Sequence, residues 1–147
     1  MRPFPSRVAL QSLVPSEKRP FSLVWTSLHN NNLPKARYLV LDSSFNPPHL
    51  AHRGLCEAAC QADTPGQHNL LLLLSTKNVE KIASEKPSFA QKLEMMHAFA
   101  LDILQNASDG VSVSIGCLVE PTFAGKSSVL LSNLPQGSTL SFILGWE

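Results

Sequence analysis

The chain has 147 residues, 44% of them hydrophobic and 16% charged. That composition suits one compact core and argues against a disordered tail. Twelve basic residues against eleven acidic ones leave a formal charge of +1, which argues against a general nucleic-acid binder. The longest apolar run, Leu70 to Leu74, is too short to cross a bilayer.

Three cysteines (Cys56, Cys60 and Cys117) are too few, and odd in number, for a disulfide framework. They point to a reducing compartment, so a cytoplasmic or nuclear location is expected. The charge is uneven. Residues 1–37 hold six basic groups and one acidic group, Glu17, with five of the eleven prolines and no glycine. Residues 1–35 therefore read as an N-terminal arm and 36–147 as the domain. The arm is rich in Arg and Ser, as mitochondrial presequences are, which makes a mitochondrial location the alternative. Pro3, Pro5, Pro15 and Pro20 interrupt the amphipathic helix such a signal needs. A second reading gives the arm a short helix around Arg7–Val14 and a strand at Phe21–Ser27, both packed on the domain edge.

In the domain, Tyr38-Leu39-Val40-Leu41 suits a strand buried on both faces. A loop rich in Ser, Asn and Pro follows, then a helix from Leu50 to Ala62 that ends before Thr64-Pro65-Gly66. Asn69 to Ser75 is a second buried strand, and Lys77 to Pro87 a charged connection. Ser88 and Gln91 form a capping box for a long helix running to Asn106. Phe89, Leu93, Met96, Ala100, Ile103 and Leu104 make its apolar face. Val111, Val113, Ile115 and Cys117 alternate with Ser and Gly as a third strand. A short helix from Lys126 to Leu134 and a fourth strand from Thr139 to Leu144 complete the pattern. Strand and helix alternate throughout, which predicts a Rossmann-like α/β domain: a mainly parallel sheet with helices on both faces. Such sheets bind ligands at the carboxyl ends of their strands. Here that edge holds Asp42-Ser43-Ser44, Ser75-Thr76 and Gly145.

Chemistry is concentrated in Ser43-Ser44-Phe45-Asn46-Pro47-Pro48-His49-Leu50-Ala51-His52. Prolines stiffen the loop where a helix begins. Backbone N–H groups are unpaired there, and the helix dipole favours an anion. His49 and His52, three apart, share one helix face. Two imidazoles, a helix start and small hydroxyl residues make a phosphate cradle.

The segment resembles the H/T-x-G-H signature of the nucleotidylyltransferase superfamily. In its wording, Ser-Phe-Asn-Pro-Pro-His, it resembles nicotinamide mononucleotide adenylyltransferases and related fungal proteins. Lys92-Leu93-Glu94-Met95-Met96 is similar to the Arg-Leu-Glu-Met run on their second long helix. Leu144-Gly145-Trp146-Glu147 is similar to their Gly-x-Asp after the fourth strand. The resemblance spans residues 37–147. It implies transfer of AMP from ATP to nicotinamide mononucleotide, giving NAD and pyrophosphate, with Mg²⁺ accompanying ATP. It implies His49 and His52 on the ATP phosphates, and Ser43, Ser44, Phe45 and Asn46 lining the nucleotide site. It further implies Lys81 as a phosphate-binding lysine, Gly145, Trp146 and Glu147 at the nucleotide, and Phe123 stacking on nicotinamide.

The family's opening glycine is Ser43 here, the glycine between the histidines is Ala51, and Glu147 stands where Asp is expected. The family's second, Arg-bearing phosphate signature has no counterpart in the sequence. The expected domain is therefore incomplete at its C-terminus, and weak or absent turnover is expected of this chain alone. Two alternatives stay open: a nucleotidylyltransferase with another substrate, such as a pantetheine-phosphate or cytidylyl enzyme, and a nucleotide-binding remnant with little or no catalysis. ATP and nicotinamide mononucleotide are the expected partners, with no nucleic acid or membrane.

Other readings are less productive. His49, His52, Cys56 and Cys60 lie on one helix, and its ends are too far apart to close four ligands around zinc, so no metal site is expected. Gly125-Lys126-Ser127 ends like a phosphate loop, but Glu120 stands where the first glycine belongs. His97 reads as a half-buried helix histidine, and Asp42 as a residue that caps or orients the loop.

Overall fold

The computed structural model describes residues 3–30, 32–43, 45, 48–76, 88–107 and 110–144. The expected connection Lys77–Pro87, with Lys81, lies outside these residues. The elements in chain order are α1 (Arg7–Gln11), β1 (Phe21–Thr26), β2 (Arg37–Ser43), α2 (Leu50–Ala62), β3 (His68–Thr76), α3 (Phe89–Asn106), β4 (Val111–Val119), α4 (Phe123–Asn133) and β5 (Thr139–Phe142).

The strands form one sheet in the order β1-β4-β3-β2-β5. β4, β3, β2 and β5 run parallel, and β1 pairs antiparallel with β4. The parallel pairing follows from the helical crossovers, and the continuous apolar runs follow from cover on both faces. β3 displays the two-residue period directly. Leu70, Leu72 and Leu74 enter a core beneath α1, α2 and α3, while Leu71 and Leu73 enter a second core beneath α4. Helices therefore lie on both faces, and the fold is Rossmann-like α/β as expected.

β2 lies one strand in from the β5 edge, flanked by β3 and β5. From it the chain moves one way to β3 and β4, then back to β5 on its other side. The carboxyl ends of β2 and β5 thus bracket the point where strand order reverses, the usual ligand crevice of open sheets.

Local chemistry explains the elements. The capping box of α3 is present: Ser88 Oγ accepts the Gln91 N–H at 3.2 Å and Gln91 Oε1 accepts the Ser88 N–H at 2.8 Å. Phe99 joins Leu93, Met96, Ala100 and Ile103 on its buried face, while Phe89 and Leu104 pack only partly. In β4 the residues alternating with the apolar ones are small for two reasons. Ser112 and Ser114 bond to Asn69 and Thr26 at 2.8 and 2.9 Å. At Gly116 a Cβ would come within 2.7 Å of the Phe21 ring that crosses it. Several boundaries differ from the sequence reading by one to three residues. α4 begins at Phe123, not Lys126, because Thr122 Oγ1 caps the Gly125 N–H at 3.0 Å. β5 ends at Phe142, although the Ile143 N–H still reaches the Val40 carbonyl at 2.8 Å.

The helix and strand expected within residues 1–35 are both present, and they are built into the domain edge. Leu10, Val24 and Trp25 belong to the larger core. Phe4 stacks on His97 of α3, with ring centroids 4.3 Å apart. Among the described residues no helix is long and apolar enough to cross a membrane.

Candidate functional site

The apolar run of β2 ends at Asp42 and Ser43, and alternation sends these neighbours to opposite sheet faces. Ser43 points to the side of α2. There His49 caps the helix from an extended backbone, φ −143° and ψ 178°. Its Nδ1 accepts the Ala51 N–H at 3.2 Å, and its own N–H donates to His52 Nδ1 at 3.0 Å. Two histidines thus perform the reciprocal capping that Ser and Glu usually share. Because both Nδ1 atoms accept, each neutral ring carries its proton on Nε2. The His52 Nε2–H donates to Ser43 Oγ at 3.0 Å, and Ser43 Oγ also accepts the Phe45 N–H at 3.3 Å. The Nε2–H of His49 is engaged by none of the described residues.

The two imidazoles stack with centroids 4.0 Å apart. Phe45 lies under them, fully buried, 5.1 Å from the His52 ring and 6.2 Å from Phe99. Its backbone is left-handed, φ 47°, a conformation that costs a non-glycine residue about 1 kcal/mol. Ring burial and the bond to Ser43 hold it there. Burial lowers the His52 pKa from its ordinary value, and a charge on neighbouring His49 lowers it further. His52 is therefore a neutral donor near pH 7. The cluster presents a helix start, its dipole and imidazole N–H groups, an arrangement suited to phosphate oxygens.

The opposite face carries charge. Asp42 Oδ2 pairs with Lys126 Nζ at 2.6 Å, and Asp42 Oδ1 accepts the Ser75 hydroxyl at 2.6 Å. The Asp42 and Lys126 side chains are only 12% and 14% exposed. Lys126 stands in the first turn of α4, its ammonium 5.4 Å from the centroid of the Phe123 ring. Phe123 is 56% exposed and meets Phe142 edge to face at 5.4 Å.

Of the residues expected in the site, Ser43, Phe45, His49 and His52 come together. Ser44, Asn46, Lys81, Gly145, Trp146 and Glu147 lie outside the described residues. Phe123 stands on the other side of the sheet from the histidines. The bond of Lys126 to Asp42, and that of Ser75 to Asp42, were not foreseen. The available signal is a lysine in the first turn of a helix that starts from the carboxyl edge of β4, within the stretch Gly125-Lys126-Ser127. Cys56 and Cys117 are buried, and burial raises both thiols to about 12, which leaves them protonated and unreactive. Among the described residues no group of three or more His, Cys, Asp or Glu side chains could hold a metal ion.

No protein-family model matches the chain, and no solved structure matches it. Over 74 residues it is 38% identical to a protein of Schizosaccharomyces pombe named "Putative nicotinamide mononucleotide adenylyltransferase". The match covers 50% of this chain and 27% of that protein, so the chain spans about a quarter of the relative's length. Half of this chain is thus similar to part of a protein whose name places it among the nucleotidyltransferases.

Proposed function

We propose that the chain carries the phosphate-binding portion of an adenylyltransferase that joins AMP from ATP to nicotinamide mononucleotide. The observation that carries this reading is the reciprocal His49–His52 cap at the reversal point of the sheet. The similarity to the fission-yeast protein supports the choice of substrates.

The reaction asks little covalent chemistry of the protein. A phosphate oxygen of the mononucleotide attacks the α-phosphorus of ATP, and the bond to pyrophosphate breaks. Catalysis then rests on alignment and on donors aimed at developing charge. The His49 Nε2–H is the outward donor to a phosphate oxygen. The His52 Nε2–H supplies a second by exchanging Ser43 Oγ for the ligand. The first N–H groups of α2 supply the rest. Stacking, the Ser43 bond and buried Phe45 fix the rings before the ligand arrives. Mg²⁺ enters with the triphosphate. Asp42, a carboxylate at this edge, already gives one oxygen to Lys126 and the other to Ser75. To hold the ion, Asp42 would have to exchange Lys126 or Ser75 for it.

The test is ATP titration of the intact chain and of His52→Ala, with NAD formation followed in the presence of Mg²⁺ and nicotinamide mononucleotide. The substitution is expected to weaken ATP at least about tenfold, equivalent to about 1.4 kcal/mol, while the folded spectrum is kept. Equal ATP affinity in both proteins overturns the reading. ATP binding without NAD identifies a nucleotide-binding module, and His52-dependent NAD identifies the enzyme.

A further inference from the structure

Asp42 and Ser43 stand where β2 has lost one of its two neighbours. The β5 ladder ends at Val40, paired with Phe142, while β3 continues beside β2 as far as Ser43, paired with Leu74. Among the described residues, these last positions of β2 are thus held by backbone pairing on one side only. Side chains supply a second anchor. Asp42 Oδ1 accepts the hydroxyl of Ser75, itself seated in the β3–β4 ladder, and Asp42 Oδ2 accepts from the Lys126 ammonium of α4, each at 2.6 Å. Adhesion alone does not account for charges here. Both side chains are largely shielded from water, and shielding two ions carries a desolvation cost that an apolar pair avoids. What the charges add is direction: short, charge-assisted bonds fix where a carboxylate lies.

We propose that Asp42 is a positioning residue of the phosphate site, acting through its neighbour Ser43. This rests on the function proposed above. Adjacent strand residues share one peptide plane and send their side chains to opposite faces. Anchoring Asp42 on the α4 face therefore fixes the turn of the strand, and with it Ser43 Oγ on the α2 face. That oxygen accepts both the His52 Nε2–H and the Phe45 N–H. If Ser43 loosens, the His52 ring is held at Nδ1 alone, and Phe45 loses a bond that keeps its backbone left-handed beneath the rings. The donors are then less well aligned before the ligand arrives, and chemistry that rests on alignment is sensitive to small misplacements. The ion pair on one face thereby sets the geometry of the imidazoles on the other.

The readout is the His52 Nε2–H proton itself, followed by NMR of the full chain with isotope-labelled histidine at about pH 7.5, where the ring is neutral. Held by Ser43 Oγ, this proton exchanges slowly with water and is seen; released, it is lost to exchange, and Ser43→Ala shows what release looks like. Lys126→Met is expected to lose the signal and to weaken ATP about threefold, less than His52→Ala because the donor is loosened and not removed. That single change leaves a shielded carboxylate without its ion partner, which strongly destabilises a fold. The double variant Asp42→Leu with Lys126→Met puts an apolar pair in place of the ions, so adhesion stays and both directional bonds go. It is expected to fold, to lose the signal and to weaken ATP to the same extent. Leu130→Ala loosens α4 from below without touching Asp42 and is expected to keep the signal. A pair that only stabilises the fold predicts the reverse: the signal kept in the folded double variant, or lost equally in Leu130→Ala. Either result overturns the proposal, as does an unprotected His52 proton in the wild type, or a lost signal with unchanged ATP affinity. The ATP titration also separates the two readings. His52-dependent ATP binding with the signal kept in the double variant removes the role of Asp42 alone, whereas a wild-type chain that binds no ATP removes the phosphate site and that role with it.

Discussion

The two faces of the sheet are packed unequally. Among the described residues, the face under α1, α2 and α3 gathers eighteen buried core residues, including Trp25, Phe45, Met96 and Phe99. The face under α4 gathers eight and shares its space with buried polar side chains of Thr26, Asn69, Ser112 and Ser114. At the carboxyl edge the contrast persists. The apolar face ends in hydrogen-bonded imidazoles, and the polar face ends in an ion pair. One face supplies most of the burial that stabilises the domain, and the other can hold charge because less apolar packing depends on it.

Large-to-small substitutions test that contrast most strongly. Trp25 is fully buried in the larger core, and Trp25→Ala is expected to cost about 3–5 kcal/mol. Leu130, fully buried beneath α4, is expected to cost about 2 kcal/mol as Leu130→Ala, at the low end for such changes. Urea unfolding measures both. Equal losses would show that the two cores share the stability evenly.

A smaller effect is expected from pH, and it belongs to the larger-core face. His52 and His97 both have pKa values held below the ordinary 6.5, each chiefly by burial. The folded state therefore binds fewer protons than the unfolded state just below pH 6.5. Stability is complete above that value and declines as pH falls through the folded values. His52→Gln and His97→Gln should each flatten part of the decline, seen as Tm against pH between 7.5 and 5. A wild-type Tm that stays level over that range contradicts the assignment. Asp63 acts in a separate, more acidic window. Its carboxyl is lowered first by the His68 hydrogen bond and also by Arg37, so its contribution is lost only below pH 3.8.

The smallest effect is expected at the surface. Arg7 and Glu94 pair at 3.0 Å but are 67% and 41% exposed. Arg7→Ala should change stability by less than about 1 kcal/mol, and less still in high salt. A larger loss would mean that α1 is held by charge and not by Leu10.

The parallel sheet was legible in the sequence because its signals are local and repeated. Leu70–Leu74 states burial on both faces, and Ser88 with Gln91 states where α3 begins. The histidine pair was legible for the same reason, since both rings lie within one turn of one helix start. Their tautomers and mutual capping were not legible, because they depend on backbone torsions at His49. Asp42, Ser75 and Lys126 are scattered in sequence, and only the sheet order brings them together. α4 was read three residues short because Thr122, a modest cap, stands before an aromatic residue and a glycine. β1 was visible as a strand, but no pattern in Phe21–Thr26 names its partner.

That partnership bears on the order in which the protein is made. Ser22 and Cys117 face each other across the sheet although 95 residues separate them in sequence. During synthesis β1 leaves the ribosome first among the strands and waits until β4 has followed. Contacts between such distant segments are slow to close. The first strand made is thus a latecomer to the sheet. Until it docks, β4 offers an open edge to other chains, a hazard that ends only when the N-terminal segment has folded back.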